Sequence, residues 1–322
     1  MRERHMQFNI SALQKVIAKH VGHGNVKSIV KYSEGGFNRV LLVTMEDDFR
    51  AIVKISYWIS VPKTYATASE VATLTFLRSK GFTVPKVYGW SSTTENPVGV
   101  EYIIMEHAPG FDTTKHQKKA LVTGIVDIEK RLMNIPFASV GSLYFKKDLP
   151  PHSQGQLYSP VTPDEDRDSE TYCIGPIADY MFWYGERTKL DLDRGPWSDP
   201  RQYLLAIANK EIEWTEKFGK PLECDFPYNT VFPGVNSHRN YLELLKKYLA
   251  IAPYLLPKDP GDILNRPTIR HPDLTPSNVF VCPDTFDVTC IIDWQHTVVT
   301  PLLLAAGYPR LFENPSPSPQ QA

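Results

Sequence analysis

One stretch in the last part of the chain constrains the fold more than any other. It reads apolar–His–x–Asp–Leu–x–x–x–Asn followed by an apolar run, and after a short gap two apolar residues precede another Asp. The runs Val279–Val281 and Thr289–Ile292 have the composition of short strands, and residues 282–284 between them are typical of a turn. A hairpin made of these two strands would bring Asn278 and Asp293 to the same end.

The polar residues of this stretch are those that phosphoryl transfer requires. Kinase-fold enzymes use the same spacing to place one catalytic Asp and two metal ligands around the γ-phosphate of ATP. Asp273 is therefore the candidate base for an attacking hydroxyl. Asn278 and Asp293 are the candidate Mg²⁺ ligands because their oxygens suit a hard cation, and His271 is expected to brace the loop by hydrogen bonding to backbone. The alternative is a surface loop with incidental polar residues, which the complete pattern disfavours.

A lysine lies inside an apolar segment of strand character. Lys54 belongs to the run Ala51–Ile55, where an ammonium group is costly to bury unless it finds a partner. Glu70 stands at the start of the next predicted helix. The two residues match the lysine that contacts the α- and β-phosphates and the glutamate that holds it. The alternative is that Lys54 extends to solvent and Glu70 is an ordinary acidic residue of a first helical turn.

Two further segments are candidates for nucleotide contacts. Gly35 and Gly36, followed by Asn38, join the first two predicted strands, and glycines there would let backbone N–H groups approach phosphate. A plain hairpin turn is the alternative. The segment from Glu106 to Ala108 leaves the last strand of the first lobe and offers backbone donors and acceptors to an adenine edge. The alternative there is a simple linker between lobes.

The order of patterns along the chain predicts an α+β fold with two units. The first unit, residues 1–107, is an antiparallel β-sheet with one internal helix, and the second, residues 108–313, is mainly helical. Residues 314–322 are rich in Pro, Ser and Gln and predict a disordered tail. The predicted strands are Ser28–Tyr32, Arg39–Met45, Ala51–Ile55 and Glu101–Met105. The predicted helices are Ser11–Val21, Thr67–Lys80, Lys115–Met133, Pro200–Phe218 and Ser237–Ile251.

Composition excludes several classes of partner. The formal net charge of the 322 residues is -1, so no basic surplus points to a nucleic acid. No apolar run approaches the roughly 18 residues of a membrane helix. The four cysteines form no Cys-x-x-Cys pair, and Cys282 and Cys290 are expected to be buried thiols. These features predict an intracellular, cytoplasmic protein; the basic first residues leave a mitochondrial location as the alternative.

The motifs together resemble those of the aminoglycoside phosphotransferase and choline kinase-like superfamily. The resemblance spans Ser28 to Phe312. In detail the sequence is similar to a fungal branch of the superfamily related to the altered inheritance of mitochondria protein. It implies a two-lobed, protein-kinase-like fold, the cofactors ATP and Mg²⁺, and a small molecule whose hydroxyl accepts the phosphate. It does not imply an aminoglycoside acceptor. The strings that carry it are SEGGFNRV, ASEVATLTFLRSKGFTVPKVYGWSS, NPVGVEYIIMEHAPG, LDLDRGPW, PYLLPKD and HPDLTPSNVFV.

Departures from the protein-kinase pattern narrow the expectation. Pro272 and Thr275 stand where protein kinases have Arg and Lys, Asp293-Trp294-Gln295 replaces Asp-Phe-Gly, and no Ala-Pro-Glu follows. These departures favour a small-molecule kinase over a protein kinase. Few residues follow Asp293, so a nucleotide-binding pseudokinase or scaffold with an incomplete acceptor site is the alternative. The acceptor's identity and the oligomeric state are left open by the sequence.

Overall fold

The computed structural model describes residues 6–112, 118–223, 225, 228–231 and 233–307. The predicted tail and Cys224 lie outside these residues, as do the first residues of the predicted helix Lys115–Met133. The strands are β1 (Val26–Glu34), β2 (Asn38–Met45), β3 (Arg50–Ser56), β4 (Val87–Ser91), β5 (Tyr102–Glu106), β6 (Phe111–Asp112), β7 (Ser142–Phe145), β8 (Tyr172–Gly175), β9 (Leu222–Glu223), β10 (Val235–Asn236), β11 (Pro267–Ile269), β12 (Val279–Val281), β13 (Val288–Ile291) and β14 (Val299–Pro301). The helices are α1 (Ile10–Val21), α2 (Tyr65–Ser79), α3 (Lys118–Met133), α4 (Asp168–Thr171), α5 (Pro200–Phe218), α6 (His238–Ile251) and α7 (Leu302–Ala305).

A five-stranded antiparallel sheet forms the N-terminal lobe, in the order β1-β2-β3-β5-β4. Successive side chains of a strand point to opposite faces. Val53 and Ile55 of β3 accordingly pack with Leu13 and Ile17 of α1 on one face, while Lys54 lies on the other. The edge strand β4 was not predicted. Gly89 interrupts its pattern and Pro85 lies just before it. A Cβ atom at Gly89 would lie 2.5 Å from the His20 ring, so a larger residue there would require His20 to move.

Helix α2 covers the face of the sheet that carries Lys54. Residues Ala66 to Leu77 are buried almost without interruption, because α2 lies between the sheet and strand β7 of the second lobe. The buried residues of α2 include the polar Thr67, Ser69, Glu70 and Thr73 as well as its apolar side chains. The burial fixes Glu70, in the second turn of α2, against the sheet.

The C-terminal lobe contains the long helices α3, α5 and α6 together with several short strands. The predicted hairpin is present as β12 and β13, with Val279 opposite Ile291. Its inner face packs with the fully buried Trp294 in the largest core cluster. The predicted α+β class is thereby confirmed. No helix within the described residues has the length and apolar character needed to cross a membrane.

The chain crosses between the lobes at Pro109 and Gly110. Thr289 Oγ1 donates a hydrogen bond of 2.6 Å to the Pro109 carbonyl oxygen. Gly110 has φ +100°, and a Cβ atom there would lie 2.4 Å from the carbonyl oxygen of Val281. The crossing is therefore held tightly against β12, the strand that follows Asn278.

We expect Gly110→Ala to lower the free energy of unfolding by roughly 1–3 kcal/mol, because the substitution combines an unfavourable φ with a backbone clash. Gly36→Ala is the matched control, since a Cβ atom there meets nothing within 4 Å. Urea unfolding of both variants measures the effect. Equal stabilities would contradict the tight crossing.

Candidate active site

A buried ammonium group joins the two lobes. Lys54 Nζ lies 2.7 Å from Glu70 Oε1 and 2.7 Å from Asp293 Oδ1. The side chains of Lys54 and Glu70 are 8% and 3% exposed, whereas that of Asp293 is 47% exposed. Glu70 is therefore an internal partner, and Asp293 presents its carboxylate to the solvent in the cleft.

The charges of this network adjust one another's proton affinity. Burial alone would lower the pKa of Lys54, but the carboxylates of Asp293 and Glu70 outweigh burial and raise it. The charge of Lys54 in turn lowers the pKa of Asp293 below its ordinary value. Burial raises the pKa of Glu70 against the attraction of Lys54. Near neutral pH the network therefore keeps a cation and a cleft-facing anion side by side.

His271 braces the loop that carries Asp273. Its Nδ1 accepts a 3.1 Å hydrogen bond from the Asp273 backbone N–H, so the proton lies on Nε2, which donates to the Ile292 carbonyl oxygen at 2.8 Å. Trp294 packs edge-on against the imidazole with ring centroids 4.7 Å apart. Burial lowers the pKa of His271 below its ordinary value, which favours the neutral ring that both bonds require.

Asn278 lies between the loop and the second aspartate. The side-chain Nδ2 of Asn278 donates to the backbone carbonyl oxygen of Asp273 at 2.8 Å. The backbone carbonyl oxygen of Asn278 accepts from the Ile292 N–H at 3.0 Å. Asp293, which follows Ile292 in the chain, has a backbone φ of +64°, a conformation that Asp tolerates better than most residues. The hairpin thus brings Asn278 and Asp293 to one end, as the sequence predicts.

These two residues fit the chemistry of a magnesium site. The Asn278 amide nitrogen is engaged, which leaves Oδ1 as the atom available to a cation, and the Asp293 carboxylate is ionised and accessible. Within the described ranges, no group of three His, Cys, Asp or Glu side chains could hold a metal ion. A cation here would take its remaining oxygens from phosphates and water, as Mg²⁺ commonly does.

The glycine turn differs in one respect from the expectation. Gly36 has open space around it, and the Gly35 N–H donates to the Asn38 carbonyl oxygen at 3.0 Å. Asn38, however, is buried, and its side chain bonds to Gln295. Phe37 packs against the ring of Tyr180, with centroids 4.9 Å apart, so the turn contacts the second lobe. Phosphate binding by this turn stays a prediction.

The predicted hinge is anchored by side chains. The Glu106 carboxylate accepts hydrogen bonds from Arg78 at 2.8 Å and from the Lys86 backbone at 3.0 Å, so it faces β4 and α2. Within the described residues the Ala108 N–H donates no hydrogen bond to another backbone group. The adenine contact predicted for Glu106 and Ala108 therefore concerns their backbone.

Two residues of the site, Gln295 and Ser60, were not predicted from the sequence. Gln295 Oε1 accepts from Asn38 Nδ2 at 2.6 Å, and Gln295 Nε2 donates to Ser60 Oγ at 2.7 Å. The sequence signal was weak, because a polar residue beside Trp294 is common at a surface. Burial of Gln295 could not be inferred without the partners, which are more than two hundred residues away.

The distinctive string at residues 191–197 forms a rigid turn. Asp193 accepts from the Gly195 backbone at 3.0 Å and from the Trp197 indole at 2.8 Å, and the Trp197 backbone pairs with Val140. Arg194 stacks on Trp183 and donates to three carbonyl oxygens. These contacts account for the string by structure alone.

Comparison with known proteins gives the class to which this fold and site correspond. The model of the phosphotransferase enzyme family, APH, matches residues 28–304. Because the match covers most of the chain, the chain belongs to this phosphotransferase family. The subtelomeric hrmA-associated cluster protein of Aspergillus fumigatus is 32% identical over 91% of this chain and 62% of the relative. The altered inheritance of mitochondria protein 9, mitochondrial, of Yarrowia lipolytica is 27% identical over 94% of this chain and 56% of the relative. The chain thus spans less than two thirds of these relatives.

Solved structures confirm the two-lobed kinase-like fold. A thermostable mutant of the aminoglycoside phosphotransferase APH(4)-Ia, in a ternary complex with AMP-PNP and hygromycin B, matches with a TM-score of 0.50 and 13% identity, covering 91% of this chain and 74% of that one. A Thermobifida fusca protein assigned as a fructosamine-3-kinase matches with a TM-score of 0.50 and 16% identity, covering 91% and 75%. At these identities the likeness defines the fold.

We expect His271→Asn to flatten the dependence of stability on pH below about 6.5. The folded protein resists protonation of His271, so its contribution is complete above the unfolded pKa and is lost as the pH falls through the lower folded pKa. The remaining histidines are the same in both proteins, so the difference between the two stability curves isolates His271. Thermal unfolding measured from pH 8 to about 5 tests this; parallel curves would contradict the buried neutral ring.

Proposed function

We propose that this protein transfers the γ-phosphoryl group of ATP to a hydroxyl of a small molecule, with Mg²⁺ as cofactor. One observation carries the proposal: the buried Lys54 ammonium links Glu70 in the first lobe to the half-exposed Asp293 carboxylate of the second. A preorganised cation beside a cleft can bind phosphate strongly, because little reorganisation is needed. Membership of the phosphotransferase family supports the same conclusion.

The nucleotide base is assigned to the hinge. The Ala108 N–H and the Glu106 carbonyl would bond to the adenine edge, which the absence of a backbone acceptor for Ala108 among the described residues supports. Ile52 lies on the same face of β3 as Lys54 and is half-buried. Phe280 projects from β12 on the face opposite the buried Val279 and Val281. Both are suited to packing against a planar base.

The remaining roles follow from the spacing of the kinase-type motif. Lys54 holds the α- and β-phosphates, and Glu70 keeps its ammonium in place. Asn278 and Asp293 would hold Mg²⁺, which when bound neutralises phosphate charge and draws electron density from the γ-phosphate. Asp273 takes or orients the proton of the attacking hydroxyl.

The acceptor is assigned as a small molecule. Directly after Asp293 the chain enters the protein interior, where Gln295 and Thr297 are buried. The sequence that follows lacks the features of a protein-kinase activation loop. The APH(4)-Ia complex holds the small molecule hygromycin B.

We also propose a cellular compartment for this protein. An intracellular location is proposed from the cysteine pattern. Cys173 and Cys290 are buried free thiols, whereas Cys282 is free but only partly buried, so the prediction of burial was wrong for Cys282. Mitochondria are included because several relatives are named as mitochondrial proteins.

We expect Asp273→Asn to lower the turnover of Mg-ATP by about 10²–10⁴-fold while nucleotide affinity stays within a few-fold, because the carboxylate acts on the acceptor proton. Release of ADP with a panel of sugars, polyols and amino alcohols measures it. Asp284→Asn, on the exposed hairpin turn, is the control and should match the wild type. Unchanged turnover in Asp273→Asn would contradict the assigned base.

We expect Asp293→Asn to abolish the Mg²⁺ dependence of nucleotide binding. In the wild type, ATP with Mg²⁺ should raise the unfolding temperature more than ATP with chelator, since ligand binding stabilises the folded state. The variant should show no difference between the two conditions. Asp287→Asn, exposed on the same hairpin, is the control. Stabilisation of the wild type without turnover on any alcohol would favour the scaffold alternative.

A further inference from the structure

A chain of buried amide and hydroxyl groups ties three elements together. Asn38, at the end of the glycine turn, donates to Gln295 at 2.6 Å, and Gln295 donates to Ser60 at 2.7 Å. Asn38, Ser60 and Gln295 are 8%, 2% and 6% exposed. We call these three residues the clasp.

Each member of the clasp belongs to a different part of the nucleotide site. Asn38 begins β2 on the face of the sheet that carries Lys54, because Val40, two residues on, pairs with Lys54. Ser60 lies in the loop that leads into α2 and so to Glu70. Gln295 follows Asp293 by two residues. The clasp therefore fixes the glycine turn and the start of α2 relative to the metal-ligand segment.

We propose that Gln295 is a positioning residue that sets the glycine turn and α2 over Asp293 for binding of the nucleotide phosphates. The inference rests on the proposed function and goes beyond it, because Gln295 touches neither nucleotide nor acceptor in that scheme. It acts through Asn38 and Ser60.

The hydrogen bonding indicates positioning and not stability as its purpose. Asn38 Oδ1 is buried and has no hydrogen-bond partner among the described residues. Rotating the side-chain amides of Asn38 and Gln295 by 180° exchanges the positions of their oxygen and nitrogen atoms. One buried polar atom of Asn38 is still left without a partner. An unsatisfied buried polar atom is destabilising, and replacing such a network by apolar residues of similar size is often neutral or stabilising.

The first test uses the protein without nucleotide. We expect Gln295→Met to increase backbone hydrogen exchange at residues 34–38 and 57–64 by roughly tenfold, because each segment loses its side-chain hydrogen bond to residue 295. Gln154→Met is the matched control: Gln154 donates to the carbonyl oxygens of Lys146 and Leu149 and should leave both segments unchanged. Unchanged exchange in Gln295→Met would overturn the inference, whatever the protein binds.

The second test separates positioning from folding. The double variant Asn38→Leu, Gln295→Met should unfold at a temperature equal to or above that of the wild type, yet bind Mg-ATP roughly tenfold more weakly. Isothermal titration with Mg-ATP, well below the unfolding temperature, gives the affinity. A loss of stability with unchanged affinity would overturn the inference and leave the proposed function standing. Absence of Mg-ATP binding by the wild type would overturn the proposed function and the phosphate-positioning role together.

Discussion

The structure of the cleft depends on the ion network of Lys54. An ammonium group inside an apolar sheet is strongly unfavourable unless its charge is compensated, and here compensation comes from two carboxylates on different lobes. Glu70 requires α2 to lie against the sheet, and Asp293 requires the hairpin of the second lobe to meet it. The relative placement of sheet, helix and hairpin is thus linked to one charge. Removing Lys54 alone would leave the buried Glu70 carboxylate without its cationic partner.

The second lobe is organised so that it can supply its carboxylate at a fixed point. Trp294 fills the core directly after Asp293, and His271 reaches the Ile292 carbonyl directly before it. The metal-ligand segment is therefore held on both sides. Asn278 is joined to the same strands through the Ile292 backbone. These contacts are internal to one lobe, and the clasp and the Gly110 crossing then relate that lobe to the other.

Local patterns predicted much of this arrangement. The strands of the first lobe, helix α2 and the β12–β13 hairpin follow from alternation, apolar runs and turn residues, which depend on neighbours in sequence. Lys54 was recognised because a lysine in an apolar run needs a partner. Strand β4 was missed because Pro85 and Gly89 interrupt its pattern. The clasp was missed for a different reason: Asn38 and Gln295 are 257 residues apart in sequence and meet only in the folded protein, and no local pattern encodes contacts over such a separation.

The proposed function requires that Lys54 and Asp293 form the phosphate end of a nucleotide site. Equilibrium binding of Mg-ATP to the double variant Lys54→Met, Glu70→Gln tests it most directly, because the pair is replaced by uncharged residues of similar size and the fold should persist. Calorimetric titration should show one Mg²⁺-dependent site in the wild type and a loss of affinity of about 1.5–3 kcal/mol, the value of a charge-assisted hydrogen bond, in the variant. Equal affinity of the two folded proteins for Mg-ATP would show that the Lys54 ammonium does not bind the nucleotide phosphates.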